Sequence, residues 1–120
     1  MIDTSYSTFF SSVSITSTAA DASANVIYTV PANYDSEVDF LICTNGSSTN
    51  NISIQIYHAD GTSYHHLLRN HSVGGNDSYK ILESDRIYLH EGDKVLAYKG
   101  SGTFDVSVSG RQFYNPMRSI

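Results

Sequence analysis

Residues 51–62 read NISIQIYHADGT. Ile52, Ile54 and Ile56 alternate with Ser53, Gln55 and Tyr57. This strict period of two puts the isoleucines on one face of a β-strand and the polar residues on the other. Asp60-Gly61 then supplies a hairpin signal, because its backbone accepts the positive φ angles that a tight turn needs. Pairing Ala59 with Thr62 about that turn sets His58 across from Ser63. The stretch SYHHLLRNHSVGG, residues 63–75, is therefore expected to be the return arm of a hairpin, although it holds three of the chain's five histidines.

The rest of the chain repeats this pattern. Strands are expected at Phe9–Ile15, Val26–Val30, Val38–Cys43, Ser78–Leu82, Arg86–Leu89, Lys94–Tyr98 and Thr103–Ser109, with loops rich in Gly, Asp and Asn between them. Pro31 stops the second strand, since it cannot donate to a ladder. The more continuous apolar run at 38–43 suits a strand that is central in its sheet or buried on both faces. No ten-residue stretch has a helical period. Such spacing predicts an all-β fold, a single antiparallel β-sandwich of jelly-roll or immunoglobulin-like kind. Residues 1–20 are read as an N-terminal arm and first strand, 21–112 as the sandwich domain and 113–120 as a C-terminal tail. The first eight residues lack an apolar face and are expected to form an arm. The tail carries Tyr114, Met117 and Ile120, and docks on its own domain or on a neighbouring subunit.

Composition narrows the function. The chain has 120 residues, room for one core. Its charged fraction is 16 %, and its net charge is −5 with only seven Lys plus Arg. No basic stripe can be assembled, so nucleic acid is disfavoured as a partner. No run approaches a membrane helix in length, and no membrane partner is expected. Cys43 is the sole cysteine; it lies in an apolar strand and reads as a small buried hydrophobe. Sequons begin at Asn45, Asn51, Asn70 and Asn76, but no basic, apolar leader precedes them, and a chain rich in Ser, Thr and Asn forms such matches by chance.

The histidines do not make a convincing site. His65 and His66 are neighbours and point to opposite faces of a strand, and His71 is expected in the loop that follows. A metal held by His58, His65 and a carboxylate would depend on strand register alone, without the compact Cys and His spacing of zinc sites. Asp39, Asp85, Asp93 and Asp105 lie among many serines, yet no nucleophile elbow, zinc-binding helix or phosphate loop is present. Catalytic, cofactor-binding and metal residues are thus expected to be absent. In Leu89-His90-Glu91-Gly92-Asp93, Gly92 is suited to a left-handed turn and Asp93 to bonding backbone N–H groups. The tyrosines, among them Tyr34 and Tyr64, offer apolar area with a polar tip, which fits sugar stacking or a protein interface. Interface candidates are Tyr6, Phe9, Phe10, Tyr64, Tyr114, Met117 and Ile120.

The ordered set Ile27-Tyr28-Thr29-Val30-Pro31-Ala32, Thr44-Asn45, Leu89-His90-Glu91-Gly92-Asp93-Lys94-Val95 and Phe104-Asp105-Val106-Ser107-Val108-Ser109-Gly110 resembles small virion structural proteins of tailed bacteriophages. The likeness spans roughly residues 25–112, and Asn33 stands where the family pattern has Gly. It implies a non-enzymatic β-sandwich subunit that decorates or stabilises the capsid, neck or tail. It also implies other virion proteins as partners, a homo-oligomer (a trimer or larger ring), and residence in the virion after synthesis in the bacterial cytoplasm. The rival expectation is a carbohydrate-binding module for host-surface adsorption.

Overall fold

The computed structural model describes residues 6–82 and 85–116. Nine strands run in the order β1 (Tyr6–Ile15), β2 (Asn25–Thr29), β3 (Tyr34–Asn45), β4 (Asn50–His58), β5 (Ser63–Val73), β6 (Ser78–Leu82), β7 (Ile87–Leu89), β8 (Lys94–Lys99) and β9 (Phe104–Tyr114). The described residues contain no α-helix, and a 3-10 turn lies at Asp21–Ser23. One sheet has the order β1-β9-β3-β6, with β7 also on β3, and the other has the order β2-β8-β4-β5. All pairings are antiparallel. The expected sandwich is what forms.

Alternation builds the core. Ile52, Ile54 and Ile56 of β4 meet Leu41 and Cys43 of β3, Phe104, Val106 and Val108 of β9, and Val95 and Ala97 of β8 in one buried cluster. Cys43 is in this core, and burial pushes its thiol up to about 11. At the seam Phe9 of β1 stacks on Tyr28 of β2 with ring centroids 4.0 Å apart. The Tyr28 hydroxyl donates to Gln112 Oε1 at 2.7 Å and pairs with Ser36 Oγ at 2.7 Å. Its burial raises its pKa, the Ser36 bond opposing. One side chain thus ties both sheets together.

Three expectations change. Ser53 and Gln55, expected on an open polar face, are buried. The β1–β2 connection folds over them: Gln55 Nε2 donates to Asp21 Oδ1 and Gln55 Oε1 accepts from Asp21 N, each at 2.8 Å. Strand β3 is central in its sheet, as its apolar run led one to expect, and a bulge between Val38 and Phe40 resets its alternation. The terminal arms are shorter than expected. Tyr6–Thr8 lie in β1, and Phe113 and Tyr114 lie in β9, since Tyr6 pairs with Phe113 and Tyr34 with Tyr114. A weak apolar pattern suffices there, because a ladder forms wherever a neighbouring strand offers partners. His71 falls within β5 and not in the loop after it; its ring stacks on Tyr79 at 4.0 Å.

Candidate interaction surface

The outer face of the five-stranded sheet is assembled in rows by strand register. Tyr6, Phe113 and Asp35 form the first row, Thr8, Arg111, Glu37 and Tyr88 the second, and Phe10, Ser109 and Phe40 the third. The next rows, Ser12, Ser107, Ile42 and Lys80, then Ser14, Asp105, Thr44 and Ser78, are mostly small and polar. Aromatic area therefore gathers at one end. Phe10 is 69 % exposed and Tyr88 66 %. The two stand on strands at opposite edges of this face, with the Arg111 and Glu37 strands between them.

A buried ion network lies within this face. Glu37 retains only 4 % of its exposure. The Arg111 guanidinium donates to its Oε1, and Arg86 Nη1 stands 3.6 Å from its Oε2. Arg111 also sits 5.6 Å from the Tyr6 ring centroid, a cation–π arrangement. The Tyr88 hydroxyl bond, with the charges of Arg111 and Arg86, holds the Glu37 pKa below its ordinary 4.5 against the opposing effect of burial. A depressed carboxylate stabilises the fold fully above its unfolded pKa, and that contribution is lost as pH falls through the folded value. Glu37→Gln is therefore expected to be less stable than the parent at neutral pH, with the gap closing as pH falls below the ordinary 4.5 and through the depressed folded value. Urea midpoints measured across that range check this; a gap independent of pH contradicts it.

Around this face, the structure separates the residues singled out from sequence. Tyr6 and Phe10 lie on it, whereas Phe9 faces the seam. Tyr114 lies on the opposite face, and at this end of the sheet Tyr34, Tyr114, Gln112, Ser7 and Tyr6 line a cleft of about 120 Å³. Tyr34 and Tyr114 meet there edge to face at 5.5 Å. Tyr64 is half-buried on the four-stranded sheet, its ring 4.8 Å from Tyr57, with Lys94 Nζ 5.4 Å from the Tyr57 centroid. Met117 and Ile120 lie outside the described residues. Glu37, Arg86, Arg111 and Phe40 were not among the candidates, whereas Tyr88 is one of the tyrosines suited to stacking or an interface. A signal for them exists: the paired alternations Asp35, Glu37 and Arg111, Phe113 mark one face, but the pairing is set by strands far apart in sequence.

The histidines divide as adjacent strand positions must. His66 Nε2 bonds the Tyr98 hydroxyl at 2.7 Å and its Nδ1 meets Arg69 at 2.9 Å. Desolvation, then Arg69, lowers its pKa. His65 points the other way, into a cleft of about 500 Å³ that it lines with His58, Asp60, Ser63, His90, Glu91 and Asp93. His58 does pair with Ser63, leaving His65 diagonal to it with ring centroids 5.3 Å apart. The ladder ends at that pair, and Thr62 N donates to the Ala59 carbonyl at 3.3 Å, closing the expected turn about Asp60-Gly61.

The carboxylates around this cleft serve the turns. Asp93 Oδ1 accepts from Ala59 N and its Oδ2 from His90 N, both at 2.9 Å, and Glu91 Oε1 accepts from Asn33 N at 3.0 Å. Gly92 has φ 85° and Asn33 φ 69°, so each takes the left-handed turn conformation expected of it. Among the described residues, no three His, Cys, Asp or Glu side chains are placed to hold one metal ion. Set against family models, curated proteins and solved structures, the chain matches none.

Proposed function

We propose that this chain is a non-enzymatic virion structural protein of a tailed bacteriophage, a β-sandwich subunit that stabilises the capsid, neck or tail by binding its neighbours. The observation that carries the binding role is the aromatic end of the outer face, where Phe10 and Tyr88 are largely exposed on the two edge strands, with Phe40, Tyr6 and Phe113 on the same face. Rings of this kind dominate the energetics of protein interfaces, because they bury much area at little conformational cost. The virion setting rests on the likeness of residues 25–112 to small virion proteins. Mass spectrometry of purified phage particles is expected to find the chain in stoichiometric amount. Tyr88→Ser with Phe40→Ser is expected to reduce its incorporation about tenfold or more, as loss of an interface anchor does. Absence from particles overturns the reading.

The tyrosine-lined cleft favours a second reading, a carbohydrate-binding module. Tyr34 and Tyr114 supply rings there and Gln112 a side-chain amide, the mixture that sugar faces and hydroxyls require. A glycan array decides it: reproducible binding that is abolished by Tyr34→Ala supports the module, and no binding removes it.

A further inference from the structure

The free edges of the two sheets are not alike. Strand β2 is five residues long and bulged between Val26 and Tyr28. Strand β5 is bulged twice against β4 and carries Arg69 with three histidines. Strand β6 has five residues including Lys80, and β7 has three. Shortness, bulges and charge are how sheet edges avoid pairing with other chains. Strand β1 has none of these. It runs ten residues, YSTFFSSVSI, without a charge or a proline, and pairs with β9 without one register shift. Among the described residues no strand pairs with its other edge.

We propose that β1 pairs with β1 of a second copy, antiparallel about a two-fold axis through Phe10, joining two five-stranded sheets into one continuous sheet. This deepens the subunit reading above, on which its biological setting rests. The two-fold axis is perpendicular to the sheet, so outer faces stay together and the axis must pass through a residue. Centring it on Phe10 sets the two most exposed rings of the face side by side, Thr8 against Ser12 and Tyr6 against Ser14.

A second copy is the occupant that the charges suit. The strand brings no charge of its own to the seam, so a chain of net charge −5 meets its like where repulsion is least. The antiparallel order also places the Arg111 end of one copy beside the Asp105 end of the other. Those charges lie three strand spacings and one row apart, at least about 14 Å, beyond the screening length of about 8 Å in physiological salt. They are largely screened, and the main-chain ladder and Phe10 supply the affinity. One strand a side buries less than a standard interface, so dissociation in the micromolar range is expected.

Sedimentation equilibrium of the full chain across micromolar concentrations tests this. The parent is expected to reach twice the monomer mass. Phe10→Lys and Phe10→Glu, each facing itself across the axis, are each expected to dissociate about tenfold or more readily. Mixing the two variants in equal amounts is expected to restore the dimer. Phe10→Cys is expected to give a disulfide-linked dimer on oxidation, because residues facing across adjacent strands come within bonding reach. Circular dichroism of each variant confirms the fold, since the Phe10 side chain leaves the core untouched. A monomeric parent, or single variants as tightly dimeric as the parent, overturns the proposal. Particle-bound protein that fails these tests defeats the edge pairing alone, and a dimer absent from particles defeats the virion reading alone.

Discussion

Gly110→Ala is expected to be among the most damaging single substitutions in the chain, lowering stability by more than about 3 kcal/mol. A Cβ on residue 110 would lie 2.0 Å from the Glu37 carbonyl oxygen and 3.0 Å from Val38 Cα. Neither is the movable end of a side chain; both belong to the backbone of β3 where it bulges. Gly110 pairs with Val38 at this point, the last pair before the register shift to Phe40. To admit a methyl group the two central strands must part, which breaks ladder bonds and shifts Glu37 away from Arg111 and Arg86. Relief is not local, because interiors are close-packed. Chemical denaturation of the purified variant measures the loss, and a change within about 1 kcal/mol refutes the account.

Phe104→Ala is expected to cost about 3–5 kcal/mol, as other large-to-small changes in cores do. Phe104 is 1 % exposed and heads the largest fully buried side chains. It begins β9 where that strand pairs with both β1 at Ile15 and β3 at Asn45. Removing the ring leaves a void bounded by strands that are themselves pinned. Asn45, which is buried, holds this end by donating to the Ser48 and Val73 carbonyls and accepting from Ser47 N. The surroundings cannot collapse freely, so the cost is expected at the upper end of the range. Phe104→Leu, which keeps most of the volume, is expected to lose less than half as much in the same experiment.

Both substitutions show how unevenly the fold could be read in advance. The alternation of Ile52, Ile54 and Ile56, like that of Phe104, Val106 and Val108, depends on side chains one and two residues apart. Strand identity, core face and the hairpin at Asp60-Gly61 were therefore legible. So was the division of His65 from His66. Glu37 was not, because its meaning comes from Arg86 and Arg111, 49 and 74 positions away. Asn45 looked like a sequon and is a buried hub instead. The special role of Gly110 depends on a bulge in a strand 72 positions distant.

What the amino-acid order determined alone is whatever has the range of one or two peptide units: which segments are strands, which face of each is apolar, and where the chain turns. Tertiary structure decided everything that depends on register between distant strands. It gathered Phe10, Phe40, Tyr88 and the Glu37 network on one face, buried Gln55 under the β1–β2 connection, and left β1 as the one long, uncharged edge. The physical reason is that a ladder bond is chemically the same at every residue. Which strands pair, and in what alignment, is therefore settled only by the packing of all of them together.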